Sequence, residues 1–377
     1  MSGKHGIVCM GLLMLLSSCH DDKQVTASGL QRKDFQTEVN GQYTDLFTLS
    51  NKKGMEVCIT NYGARVVSIL VPDKNGKRED VVCGFSTIGE YMEQRQNFGS
   101  TVGRYIGRIL NARFTLDGVE YKLVPNNGKS GHISHGGNPG FADRIWKVEQ
   151  ADTHRVRLSY LSPDGENGFP GNLKVTLVYS LGEDENALDL TYEATTDAPT
   201  VLNLSHHSFF NISGNFTKSV EDQQLWVDAD RFTPYDDKKC VTGEYLPVAG
   251  TPLDFRMPHT IGECIDADHP QLKVVNGYDH TWELNTKGDD TRPAAWVYDP
   301  TSGRKMEIFT TEPGIQIYTG NGLKGKMTGK RGIAYPFRSA VCFETMHFQD
   351  SPNQPGFPST VLRPGEVFRS HTVYKFE

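Results

Sequence analysis

Side chains able to do acid–base chemistry fall in a few short clusters. Glu344 lies in Val341-Cys342-Phe343-Glu344-Thr345, where it interrupts an apolar run beginning at Ala340. A carboxylate there is costly unless it is paired or put to use. His206 and His207 are adjacent in Asn203-Leu204-Ser205-His206-His207-Ser208-Phe209-Phe210-Asn211. On a strand they would point to opposite faces, so one of them at most can serve a given pocket. A carboxylate and an imidazole facing one ligand can withdraw a proton at one atom and deliver a proton to another. Further polar groups sit in Gly131-His132-Ile133-Ser134-His135-Gly136-Gly137, in Gly103-Arg104-Tyr105-Ile106-Gly107-Arg108-Ile109, and in Asn276-Gly277-Tyr278-Asp279-His280. The glycines around Arg104 are not a phosphate loop, because no Lys-Ser/Thr follows them. His132 and His135 have a spacing that suits a metal, but the sequence places no third ligand. For every lone histidine the plain alternative is a satisfied structural residue.

The elements that must carry these residues are strands. Leu173, Val175, Leu177, Tyr179 and Leu181 alternate with Lys174, Thr176, Val178 and Ser180. Leu188, Leu190, Tyr192 and Ala194 alternate in the same way, as do Val156, Leu158 and Tyr160. Period two means one face is buried and the other faces water or a second sheet. Turn clusters such as Ser162-Pro163-Asp164-Gly165 and Asp73-Lys74-Asn75-Gly76 separate the segments. No long amphipathic helix is visible, and one or two helical turns are expected near Thr87 to Glu93. Many short strands with 38 glycines and 19 prolines predict an all-β sandwich or barrel.

Composition narrows the partners. The chain has 377 residues and a net charge of −7, with no basic cluster to neutralise phosphates, which argues against nucleic acid. Gly6 to Leu16 is almost wholly apolar, too short to span a bilayer but suited to a secretory signal. It ends in Leu16-Ser17-Ser18-Cys19, which resembles the bacterial lipoprotein processing box. The expected organisation is a signal peptide over residues 1–18, a flexible tether over 19–34 after a lipidated Cys19, and one domain over 35–377. The expected location is periplasmic or cell-surface, with the membrane reached only through the lipid on Cys19. An ordinary cleaved signal is the plainer alternative. Cys58, Cys83, Cys240, Cys264 and Cys342 are widely spaced with no CxxC pair, which indicates neither a zinc site nor a disulfide framework. The sequons at Asn203, Asn211 and Asn215 read as incidental.

Taken together and in order, these segments resemble the aldose 1-epimerase (galactose mutarotase) family. The resemblance starts near Asn61-Tyr62-Gly63-Ala64 and runs through Phe98-Gly99, Gly103-Arg104-Tyr105, Arg108-Ile109 and His135-Gly136-Gly137. It continues through His207-Ser208, Asn211, Gly277-Tyr278-Asp279-His280, Gln316, Tyr318-Thr319-Gly320-Asn321 and Glu344-Thr345. It closes on Phe357-Pro358-Ser359 and Leu362-Arg363-Pro364-Gly365-Glu366. It implies a large antiparallel β-sandwich of the galactose mutarotase type, with an open cleft on one sheet. It also implies Glu344 as general base, His207 as general acid, and Arg108, His135, Asp279 and Gln316 on sugar hydroxyls. The reaction implied is interconversion of the α and β anomers of a free aldohexose such as galactose or glucose, with no cofactor and no metal. A protonated resting His207 is expected, held charged by a nearby carboxylate or acceptor.

This sequence departs from the family pattern at four places. Gly107 stands where relatives carry Asn, His206 where they carry Asn, Phe209 where they carry Tyr, and Met346 where they carry Gln. These departures leave the preferred sugar open. One alternative reading is a sugar-binding lipoprotein without turnover. Another is a glycosidase or lyase on a related sandwich, with Asp279 and Glu344 as its carboxylate pair. An aromatic wall for the sugar is expected, with Trp146, Trp226, Trp282 and Trp296 as candidates.

Overall fold

The computed structural model describes residues 25–377. The expected signal peptide and Cys19 therefore lie outside the described residues.

The alternating segments are the long strands of a nine-stranded sheet. Leu173–Leu181 pairs antiparallel with Ala187–Thr196, with Val175 opposite Ala194 and Leu177 opposite Tyr192. Leu173, Val175, Leu177, Tyr179, Leu188 and Leu190 are fully buried, each burial contributing about 1.5–3 kcal/mol. Lys174 and Thr195 are exposed and Glu193 is half-buried, as the period requires. The other strands of this sheet are Lys147–Ala151, Arg155–Ser162, Phe368–Phe376, Lys305–Thr310, Ala295–Tyr298, Gln224–Val227 and His259–Thr260. A six-stranded sheet holds Phe209–Phe210, Val341–Met346, Gly314–Tyr318, Asp279–Glu283, Arg231–Thr233 and Leu246–Pro247. A separate four-stranded meander runs over Leu46–Ser50, Glu56–Thr60, Arg65–Pro72 and Arg78–Asp80. One buried apolar cluster takes side chains from all three sheets, from Leu49 through Phe343 to Phe376. The architecture is the expected all-β sandwich.

The helical turns expected near Thr87 form a helix over Ile88–Gln94. Thr87 caps it by accepting the Glu90 N–H, and the Glu90 carboxylate accepts the Thr87 N–H in return, a reciprocal arrangement that fixes the start. A second helix, Pro270–Val275, is too short to leave a periodic signal.

The expected tether is corrected within the described residues, where the segment is docked on the domain through Thr26 to Leu30. The Glu56 carboxylate accepts the Ala27 N–H at 2.9 Å and the Ser28 N–H at 3.0 Å, while Leu30 is buried. Polar side chains hid this segment from a reading based on hydrophobicity, because its backbone rather than its side chains does the docking. Cys58, Cys83 and Cys342 are buried free thiols and Cys240 and Cys264 are partly buried, with no disulfide among the described residues.

Candidate active site

Strand register builds the floor of the site. Gln316 stands opposite Thr281 on one neighbouring strand and Glu344 on the other. Tyr318, two residues along, stands opposite Asp279 and Cys342. Period two therefore sends Asp279, Gln316, Tyr318 and Glu344 to one face. Ile315, Ile317, Trp282 and Phe343 go to the other, into the core. His207 arrives from a separate strand, Ser205–His207, paired with Ser100–Val102. Arg108 and Ser134 pair in a two-stranded ladder that brings the His135 turn alongside. These elements enclose a pocket of about 250 Å³ lined by Arg108, His135, His207, Asp279, Gln316 and Glu344 together. That is below the about 300–1,000 Å³ usual for drug-sized ligands and suits a small polar molecule.

Glu344 and His207 meet directly, with Nε2 at 3.4 Å from Oε1. Both are nearly sealed from solvent, at 4 % and 6 % exposure. Phe209 stacks on the His207 ring at 5.1 Å and His135 meets it edge-on at 5.4 Å. His207 Nδ1 is buried and has no hydrogen-bond partner among the described residues. Burial pushes the Glu344 carboxyl well above the usual carboxylate range, and the nearby Asp279 adds to the shift. Burial likewise pushes His207 well below the usual imidazole range, with His135 reinforcing it. The expected resting imidazolium is thus corrected. A carboxylate does stand beside His207, but desolvation outweighs it and favours the neutral acid–imidazole pair. That pair and the carboxylate–imidazolium pair contain the same number of protons, so only the position of one proton differs.

The remaining polar groups form a rim held in fixed orientations. Gln316 Nε2 donates to Asp279 Oδ1 at 2.6 Å, and its Oε1 accepts the Thr281 hydroxyl at 2.5 Å. Burial raises the Asp279 carboxyl, while Arg108 and Gln316 oppose the shift. The guanidinium of Arg108 has no hydrogen-bond or ion-pair partner among the described residues, so its donors are free for a ligand. Burial and Arg108 lower His135 to about 4, which keeps it neutral. Its Nδ1 accepts the Gly107 N–H at 3.4 Å, which leaves the proton on Nε2. His135 has φ +53° and Gly136 φ +78°. A Cβ on Gly136 would lie 1.9 Å from the Gly103 carbonyl oxygen, so this turn requires glycine there.

Other sequence candidates have structural duties. Arg104 is buried and donates to Ser162, Pro163 and Pro170. His132 Nδ1 accepts the Asn111 N–H, and its Nε2 lies 3.3 Å from Cys240 Sγ. His206 turns to the core between Tyr179 and Tyr374 and contacts Ser208 at 2.7 Å. None of the tryptophans lines the pocket. Trp146 and Trp282 are core, and Trp226 stacks on Trp296 on the large sheet. Phe209 and Tyr318 supply the aromatic wall instead. Sequence reasoning did not single out Gln96, Asn97 or Gln349 as pocket residues. Arg65 positions the first of these by donating to the carbonyls of Gln96 and Phe98. One group of potential metal ligands, His207, Cys342 and Glu344, has donor atoms within 4.8 Å of one another. Burial raises the Cys342 thiol and the Glu344 carboxyl well above their usual ranges, so a metal would have to displace firmly held protons from both.

An antiparallel sandwich with a small polar pocket and a buried carboxyl–imidazole pair defines an acid–base site for a small hydroxylated ligand. The sequence model of the aldose 1-epimerase family matches residues 45–375. Galactose mutarotase of Sus scrofa is 39% identical over 85% of this chain and 91% of its own. Aldose 1-epimerase of Escherichia coli (strain K12) is 36% identical over 89% of this chain and 96% of its own. The solved GalM/aldose epimerase homologue from C. elegans superposes with a TM-score of 0.81 at 31% identity, covering 89% of this chain and 99% of that one. Galactose 1-epimerase from Lactobacillus acidophilus NCFM gives 0.78 at 29% identity, over 91% of this chain and 97% of that one. The chain belongs to the aldose 1-epimerase family.

Proposed function

We propose that the protein interconverts the α and β anomers of a free aldohexose, with Glu344 and His207 as its proton carriers. The observation that carries the role assignment is the contact between these two side chains inside a pocket rimmed by Arg108, His135, Asp279 and Gln316. In the carboxylate–imidazolium form, Glu344 takes the proton of the C1 hydroxyl. The C1–O5 bond breaks as the C1=O1 bond forms, and His207 gives its proton to the ring oxygen. The pair is then neutral, which is the form that burial favours. Rotation about C1–C2 presents the other carbonyl face. Closure returns both protons with the roles exchanged. Such acid–base help is worth typically about 10²–10⁴-fold. The four rim residues hold sugar hydroxyls, and the free Arg108 guanidinium supplies donors.

Polarimetry of freshly dissolved α-galactose tests this. Glu344→Gln and His207→Asn should each remove most of the acceleration while the fold persists. Wild-type rates in both variants would refute the roles. A protein that binds sugar yet leaves the spontaneous rate unchanged would instead be a binding module. Release of reducing ends from an oligosaccharide would favour a glycosidase, a reading that family membership disfavours. Delivery as a lipoprotein acylated on Cys19 is part of the same proposal and rests on Leu16-Ser17-Ser18-Cys19. Transfer from the membrane to the soluble fraction in Cys19→Ser tests it.

A further inference from the structure

Gly107 lies in the pocket wall with φ +76° and no side chain. The space is not empty. A Cβ built on Gly107 would come 2.6 Å from Cγ and 3.1 Å from Cδ of Gln349. The Gln349 side chain therefore crosses the place where a residue-107 side chain would begin. Gln349 is 4 % exposed and lines the pocket. Its neighbour Asp350 is tied to the Arg108 segment by an N–H donated to the Arg108 carbonyl at 2.8 Å. Nearby, Met346 gives the same pocket an apolar wall.

The bonds of the carboxamide are unequal. Nε2 donates to the Tyr235 hydroxyl at 2.7 Å, a good hydrogen bond. Its second contact, to Gln316 Oε1, is 3.4 Å, and Oε1 accepts the Arg108 N–H at 3.3 Å. Both are at the long end for N–H···O, and a carbonyl oxygen has a second lone pair. The short bond orients the group, and the long ones leave capacity for a ligand. A polar group within a largely dry wall discriminates strongly, because a ligand lacking the matching hydroxyl leaves it unpaired.

We infer that Gln349 is a specificity-determining residue whose carboxamide reads one sugar hydroxyl from the space that Gly107 leaves open. This rests on the sugar reading of the pocket. It assigns to Gln349, in the turn after the strand Val341–Met346, a contact that a side chain at position 107 would otherwise make.

The test is titration of wild type and Gln349→Met, a replacement of similar size, with galactose, glucose and each monodeoxygalactose that keeps C1 intact, with polarimetry alongside. Gln349→Met should weaken galactose binding about three- to tenfold, with kcat changed less than about twofold. For the one deoxy sugar that lacks the contacted hydroxyl, wild type and variant should bind alike. Unchanged galactose affinity overturns the inference, and so does an equal loss for every analogue. Should Gln349→Met fail to fold, Gly107→Asn combined with Gln349→Ala returns a carboxamide from the other side. That pair should bind galactose within about threefold of wild type, and a loss of tenfold or more overturns the assignment. A wild type that binds these sugars without speeding mutarotation refutes the acid–base reading, and the Gln349 assignment is still decided by the titrations.

Discussion

Two titratable side chains kept dry at 3.4 Å from one another set the pH behaviour of the site. Adding a second proton to the pair places it on His207, whose affinity for it burial depresses. Removing the shared proton draws it from Glu344, whose affinity burial raises. The acid limb of kcat/KM therefore moves below the ordinary imidazole value of about 6.5, and the alkaline limb moves above the ordinary carboxylate value of about 4.3. Both limbs belong to the pair rather than to either residue. The expected profile keeps its activity as pH falls through about 6.5. It loses activity in more acidic solution, where His207 takes the second proton, and again on the alkaline side, where Glu344 gives up the shared one. A single break at about 6.5 would mean that His207 titrates as a solvated imidazole. Glu344 was legible because a carboxylate breaks an apolar run, whereas strand alternation only showed that one of His206 and His207 can face the pocket, and the resemblance at His207-Ser208 chose between them. Gln349 was not legible, since an isolated glutamine carries no pattern and its role depends on a missing Cβ far away in sequence. The charge state of His207 was misread for a related reason, because sequence can place a carboxylate nearby but cannot weigh it against burial.

Among the elements, the floor of the site follows from register, and register was readable only in part. Alternation identified the strands from Val156 to Ala194, which are long enough to show it. The strands bearing Asp279 and Gln316 set His280, Trp282, Ile315 and Ile317 against Asp279, Thr281 and Gln316, but each is only five residues long, and only the resemblance located their functional residues. Where the two large sheets connect, His371 makes a junction that the pattern did not disclose. Its Nδ1 lies 2.6 Å from Asp290 Oδ2 and its Nε2 lies 2.6 Å from Asp189 Oδ1. Asp290 belongs to the segment that leaves Asp279–Glu283 and enters Ala295–Tyr298, so the imidazolium pins a crossover onto the outer face of the nine-stranded sheet. Hydrogen bonds to Asp189, then to Asp290, raise His371 to about 9 despite partial burial. A folded value above the unfolded one gives stability that is complete below about pH 6.5 and lost as pH rises through about 9. His371→Gln should lower the melting temperature by about 2 °C at pH 6 and have little effect at pH 10. An equal drop at both pH values would show that packing, not charge, is lost.

For the whole molecule, the decisive boundary lies at the N-terminal end. With the chain docked from Thr26 and Cys19 acylated as proposed, the intervening residues can reach at most about 25 Å, which would hold the sandwich close to the lipid surface. The packing itself is open to a direct test. Glu56 is a buried carboxyl at 4 % exposure, satisfied on one side by the Ala27 and Ser28 N–H groups. Its other contact is the Cys58 thiol, at 3.8 Å, which is a weak donor. Removing residues through Asp34 takes away both amide donors and the buried Leu30, leaving the carboxyl without strong partners at a surface it was not built to meet. The combined loss is about 2–4 kcal/mol. A chain beginning at Val25 should therefore melt with the full-length protein, and one beginning at Phe35 should melt at least about 4 °C lower. The pocket lies on other elements, so the shorter chain should keep its mutarotase rate below that transition. Coincident melting of the two chains would show that the 25–34 segment adds no stability and that the tether does extend to Asp34.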